Sequence, residues 1–175
     1  MFLVIEMEYN ERMSPRLKNY DYSSPGTYFI TVCTYKMRML FWENPMCADS
    51  EPVADKLNFA GKIADEIIGS LTEIFPIEID KYVIMPNHVH MILVVKSRND
   101  SGSKTGLVSR VVGCFKTMTS KRLHELNVND IIWQRSFHDH IIRNKEDYRR
   151  IWQYIENNPN QWEKDCFFEK YEEPK

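Results

Sequence analysis

The stretch Ile77-Glu-Ile-Asp-Lys-Tyr-Val-Ile-Met-Pro-Asn-His-Val-His-Met-Ile-Leu-Val-Val95 contains two apolar runs separated by Met85-Pro86-Asn87. Residues 77–84 and 88–95 each read as a strand, and proline and asparagine suit the turn between them. Residues i and i+2 of a strand share a face, so His88 and His90 project together while Val89 faces the other way. Two convergent imidazoles can hold one metal ion. Hydrogen-bonded histidines at the rim of a sheet are the plainer reading of the same pattern.

Working outward from this hairpin, residues 27–34 (Thr-Tyr-Phe-Ile-Thr-Val-Cys-Thr) are β-branched and aromatic and predict another strand. A hairpin partner for it is expected over 38–42, before a loop rich in Pro, Asp and Ser. Leu57, Ala60, Ile63, Ala64, Ile67, Ile68 and Leu71 recur at helical spacing, predicting a helix over 53–74 that Pro76 stops. Beyond the hairpin, residues 96–106 read as a loop. Leu107, Val111, Phe115, Met118 and Leu123 then mark a second amphipathic helix. A strand is expected over 136–143. Asn144 reads as the N-cap of a third helix over 145–157, with Glu146 and Asp147 in its first turn and Pro159 closing it. The pattern predicts an α+β fold: a ferredoxin-like sandwich with a mainly antiparallel sheet, two covering helices and an added C-terminal helix. Residues 1–175 are expected to form a single domain, with residues 1–25 as an N-terminal arm and 163–175 as an acidic tail.

At 175 residues, 43% of them hydrophobic and 27% charged, the chain has the composition of an ordinary globular domain. No run approaches the roughly 20 apolar residues of a membrane span. The opening Met-Phe-Leu-Val-Ile is too short for a signal-peptide core and no basic segment precedes it, so a cytoplasmic location is expected. Cys33, Cys47, Cys114 and Cys166 are scattered and form no Cys-x-x-Cys, which excludes a zinc ribbon or a thioredoxin-like site. A net charge of −2 argues against wholesale nucleic-acid binding. Between Gly102 and Leu123, however, every charged residue is positive: Lys104, Arg110, Lys116, Lys121 and Arg122. A basic helix in a nearly neutral chain can bind phosphates, and a solvated basic face explains it equally well.

Tyr154 and Asn158 of the third helix are four residues apart and share a face. Pro159 disfavours helical geometry at Asn158, placing it on the last turn. By itself the segment has a structural reading, a core tyrosine beside Trp152 and Ile155 and an asparagine that ends a helix. A second pair, His138 and His140, is also two apart on an expected strand, and geometry does not choose between the pairs.

Three ordered motifs together resemble a family. They are Tyr82-Val-Ile-Met-Pro-Asn-His-Val-His-Met-Ile-Leu93, Trp133-Gln-Arg-Ser-Phe-His-Asp-His-Ile-Ile-Arg143 and Tyr154-Ile-Glu-Asn-Asn-Pro159. The combination resembles the single-tyrosine HUH transposases and, most of all, the REP-associated tyrosine transposases, over roughly residues 19–162. The resemblance implies a metal-dependent single-stranded DNA endonuclease and strand transferase that forms a 5′-phosphotyrosine intermediate in DNA transposition. The family's nucleophile falls on Tyr154, and its metal ligands fall on His88, His90 and Asn158. That donor set suits Mg²⁺ or Mn²⁺. Its partner would be single-stranded or hairpin DNA, with Arg110, Lys116, Lys121, Arg122, Arg135 and Arg143 as phosphate contacts and His140 supporting the ligands or touching DNA. Family members act as monomers or homodimers. The short link between Arg143 and Lys145 favours Tyr154 serving its own chain. The alternative is a non-catalytic single-stranded nucleic-acid-binding module of ferredoxin-like fold, with Tyr28 and Phe29 stacking bases. Other metal hydrolases are disfavoured, because the chain has neither His-Glu-x-x-His nor a deaminase signature.

Overall fold

The computed structural model describes residues 24–44, 52–96 and 106–168. Of the expected N-terminal arm, residues 1–23 lie outside this range, as do residues 169–175 of the expected acidic tail. Four strands, β1 (Gly26–Cys33), β2 (Ile77–Ile84), β3 (His88–Val95) and β4 (His138–Ile142), form one antiparallel sheet in the order β2-β3-β1-β4. A single turn, α1 (Val53–Lys56), and a longer helix, α2 (Phe59–Ile74), lead from β1 to β2. The helix α3 (Leu107–Glu125) leads from β3 to β4, and α4 (Lys145–Asn157) follows β4. The β-α-β-β-α-β order with this strand arrangement is the expected ferredoxin-like one. No helix among the described residues is long and apolar enough to cross a membrane.

Register decides which residues share a face. Thr31 lies opposite His90, Cys33 opposite His88, and Val83 also opposite His90, so these side chains project to one side. The alternate residues Val89, Met91 and Leu93 are fully buried on the other side. There Tyr82 reaches Asp65 of α2 at 2.7 Å, whereas Lys81 pairs with Glu156 of α4. Helices α2 and α3 pack together in one layer, and α4 covers the opposite face against β2 and β3. A β-bulge between Ile79 and Lys81 sets Asp80 out of register, where it meets Tyr148 of α4 at 2.5 Å.

Three expectations need correction. Residues 38–42 form no hairpin strand: the Leu40 and Phe41 N–H groups bond to Pro86 O at 2.7 and 3.1 Å, and Trp42 makes an isolated bridge to Leu57. That bridge also breaks the helix expected over 53–74. Leu57 is extended, and Asn58 restarts the helix as its N-cap by accepting from the Ala60 and Gly61 N–H groups. Asn158 keeps helical angles (φ −55°, ψ −44°) in spite of Pro159, and the chain runs on as a tight 3₁₀ segment to Lys164. Burial of Asn158, Pro159 and Trp162 overrides the local preference.

Gly61 sits where α2 crosses the incoming loop, and a Cβ there would stand 2.4 Å from Phe41 O. Gly69, on the same helix, has nothing within 4 Å of its Cβ position. Alanine normally favours a helix over glycine by about 0.5–1 kcal/mol. Thermal melting should therefore rise for Gly69→Ala and fall for Gly61→Ala. Equal shifts in the two variants would rule out the close approach at Gly61.

Candidate active site

The two histidines are held by neighbours that the sheet supplies. His88 and His90 are 0% and 1% exposed, and their Nε2 atoms face each other at 2.9 Å. Asn87, buried in the turn, donates from Nδ2 to Phe167 O at 3.2 Å, which leaves its Oδ1 to accept from His88 Nδ1 at 2.8 Å. An amide oxygen only accepts, so His88 carries its hydrogen on Nδ1 and presents the lone pair of Nε2 inward. His90 Nδ1 lies 2.8 Å from Thr31 Oγ1, the residue opposite it in β1. A hydroxyl donates or accepts, so Thr31 serves either tautomer of His90.

Tyr154 comes to this pair on α4. Asn144 caps the helix by accepting from the Asp147 N–H at 2.8 Å, and Ile151 and Ile155 bury its inner face. The Tyr154 ring meets His90 at 5.2 Å and stands edge-on to Phe29 at 6.2 Å between centroids. Its Oη lies 3.3 Å from His90 Nε2 within the same chain.

The segment after α4 closes the site. Asp165 accepts from Tyr154 Oη at 3.0 Å and Asn158 Nδ2 at 2.6 Å through Oδ2, and from the Phe167 N–H at 2.7 Å through Oδ1. The Phe167 ring lies 4.6 Å from that of His88. Asn158 Oδ1 is buried and has no hydrogen-bond partner. One ligand atom from each of His88, His90 and Asp165 lies within 4.8 Å of the others. Two inward-facing imidazole nitrogens, a carboxylate and an orphaned amide oxygen form a donor set that fits a divalent cation.

Sequence reasoning brought His88, His90, Tyr154 and Asn158 forward, and the chain folds them together. It passed over Asn87, Thr31, Asp165 and Phe167. Asn87 read as a turn former and Asp165 as part of an acidic tail. Only the placement of Asp165 before the aromatic pair Phe167-Phe168 hinted at burial. His140 pairs with Asp147 at 2.7 Å at the edge of the α4 layer. His138 shares that face opposite Thr31, and its charge acts on His90. The basic residues of α3 belong to the other layer. Arg122 reaches Glu66 of α2 at 3.5 Å, Arg110 lies over Phe75, and Lys116 donates to the carbonyls of Gln134 and Ser136 at 2.8 and 2.6 Å. Burial pushes the Lys116 ammonium down to about 8. Lys121, Arg135 and Arg143 are exposed, the last two flanking β4.

Burial dominates the electrostatics. It lowers His88 to about 4, against a smaller opposing pull from Asp165, and lowers His90 well below its ordinary value with help from His88 and His138. Both imidazoles are therefore neutral in the fold, while the unfolded chain takes up protons below about pH 6.5. The contribution of this pair is constant above that pH and is lost as pH falls toward 4. With chelator present, urea unfolding at pH 4.5 should show the chain less stable than at pH 7.5 by about 2–3 kcal/mol from His88 alone, with a further loss from His90. A flat profile would contradict neutral, buried histidines.

The sequence profile of the IS200-like transposases matches residues 51–158. An uncharacterized protein of Haemophilus influenzae is 32% identical over 178 residues, covering 91% of this chain and 94% of that protein. The REP-associated tyrosine transposase of Escherichia coli K12 is 31% identical over 84 residues, 48% of this chain and 45% of its own length. Among solved structures, a REP-associated tyrosine transposase bound to a REP hairpin matches with a TM-score of 0.58 and 25% identity. That match covers 86% of this chain and 74% of the other.

Proposed function

The chain belongs to the IS200-like transposase family, and from that premise we propose that it is a metal-dependent, single-stranded DNA endonuclease and strand transferase. Tyr154 is the nucleophile in this reading, and residues 1–175 act as one domain. The observation that carries it is the approach of Tyr154 Oη to 3.3 Å from His90 Nε2 in a single chain.

The residues divide the work as follows. His88, His90 and Asn158 would hold Mg²⁺ or Mn²⁺, which, when bound, would neutralise charge on the scissile phosphate. Asn87 from the turn and Thr31 from β1 orient the two imidazoles, so both Nε2 atoms face one point before an ion binds. Burial, followed by the charge of Asp165, holds the Tyr154 phenol well above its ordinary pKa. The hydroxyl is therefore neutral at working pH, and its proton leaves as the new bond forms. Tyr154 Oη attacks phosphorus, the P–O3′ bond breaks, and the 3′-oxygen leaves with the electron pair and takes up a proton. The products are a 5′-phosphotyrosine and a free 3′-hydroxyl. No water is consumed, so a 3′-hydroxyl reverses the step and joins strands.

The solved relative is bound to a REP hairpin, which makes hairpin DNA the natural substrate class for this chain. Arg135 and Arg143, exposed beside β4 on the sheet that carries the histidines, are the proposed phosphate contacts near the reaction. Lys121 and Arg122 would reach more distant phosphates. Arg110 is engaged over Phe75 at the end of α2 and Lys116 with the carbonyls of Gln134 and Ser136 before β4, so both serve the fold. With the nucleophile and histidines supplied in cis, one chain suffices for cleavage. The test is to incubate the protein with end-labelled single strands that flank a hairpin, with Mn²⁺ or with chelator. A denaturation-resistant protein–DNA adduct that needs the cation is expected. DNA binding without any adduct, over hairpins of varied sequence, would support the binding-module reading instead.

A further inference from the structure

We propose that Asp165 is an anionic ligand of the divalent cation, making the site a two-histidine, one-carboxylate centre rather than an all-neutral one. The inference rests on the metal-dependent reading above and adds to it a residue from outside the family motifs.

Three observations converge on Asp165. First, its carboxylate is 6% exposed, and its hydrogen-bond donors, the Tyr154 hydroxyl, the Asn158 amide and the Phe167 N–H, are all neutral. No described lysine or arginine pairs with it, so among the described residues this buried carboxylate has no positive partner. Second, a carboxylate has about four acceptor positions and three are taken, which leaves a lone pair for a ligand bond. Third, its oxygen lies within 4.8 Å of the imidazole nitrogens of both histidines, close enough for one ion to reach all three.

The chemistry of the cation points the same way. Mg²⁺ and Mn²⁺ are hard ions that favour oxygen donors, and two imidazoles with one amide give them no anionic ligand. A carboxylate would supply that charge and select for a divalent ion. Asp165 is well placed to do so. Asn158 and the Phe167 N–H hold it on opposite oxygens, while Trp162, which is fully buried, anchors the segment that bears it.

The experiment is a calorimetric titration of the full chain with Mn²⁺ at pH 7.5, comparing wild type, His88→Ala and Asp165→Asn. Wild type should bind one ion, His88→Ala should lose it, and Asp165→Asn should bind at least about tenfold more weakly. Melting of the chelated Asp165→Asn chain should fall by no more than about 10 °C, because the amide keeps the shape but offers one acceptor oxygen in place of two and leaves a donor unpaired, while the rise in Tm with Mn²⁺ should shrink. Wild-type affinity in Asp165→Asn with loss in His88→Ala would overturn the carboxylate ligand and leave the metal site standing. Tighter binding in Asp165→Asn would show that the carboxylate blocks the ion, and would also overturn the proposal. Equal binding by wild type and His88→Ala would remove the metal reading itself. Wild-type crystals grown with Mn²⁺ give a check that needs no variant: an Asp165 oxygen within about 2.3 Å of the ion supports the proposal, and one beyond about 3.5 Å overturns it.

Discussion

Replacing Tyr154 with phenylalanine should abolish the covalent adduct, lowering its yield by about 10³-fold or more, while leaving the fold and DNA binding intact. The ring keeps its edge contact with Phe29 and its packing on His90, because neither uses the hydroxyl. The hydroxyl donates to Asp165 at 3.0 Å and lies 3.3 Å from His90 Nε2, and Asp165 retains Asn158 and the Phe167 N–H when it is gone. Its removal should cost about 1 kcal/mol of stability. The measurement pairs gel detection of adduct with a melting curve. An adduct that survives in Tyr154→Phe, whose melting temperature matches wild type, would show that another residue attacks the phosphate.

Trp162→Ala should have the largest effect on stability. Trp162 is 0% exposed and is the largest of the fully buried side chains among the described residues. It packs 6.0 Å from the His88 ring and edge-on to Phe168 at 5.3 Å. Truncating a buried tryptophan to alanine costs about 3–5 kcal/mol, which for a chain of this size lowers Tm by about 6–20 °C. Because Trp162 anchors the residues that lead to Asp165 and Phe167, Mn²⁺ affinity should fall with stability. Urea unfolding and melting read the first effect, and titration reads the second. A loss below about 1 kcal/mol would mean that this segment is not part of the core.

The element pattern was legible because it is local. The hairpin over 77–95, the strand over 27–34 and the helix over 145–157 each carry an apolar period or a cap that the surrounding fold reinforces. The errors arose where distant contacts decide. Leu57 leaves helical geometry to bridge Trp42, and residues 38–42 give their N–H groups to Pro86 instead of to a strand. Asn58, a favoured N-cap residue, is a local sign of the first event, whereas the second depends on Pro86, far away in the sequence. The site divides in the same way. His88, His90, Tyr154 and Asn158 are recognisable from spacing on one strand and one helix, together with the resemblance. Asp165 and Asn87 act through a fold-back that buries a carboxylate inside a run of charged residues, and composition pointed instead to a solvated tail.

The two halves of the site are fastened by different forces. The histidines sit on a central strand, bonded on both sides and packed against the α2–α3 layer. The helix that carries Tyr154 buries fully only Ile151 and Ile155 and adds the ring contacts of Tyr154 with Phe29 and His90, while three further ties to the sheet are polar: Lys81 to Glu156, Asp80 to Tyr148, and His140 to Asp147. Ion pairs at a surface weaken as salt is added, and apolar packing does not. Added salt therefore loosens the seating of α4, and with it Tyr154, before it loosens the strand that carries His88 and His90.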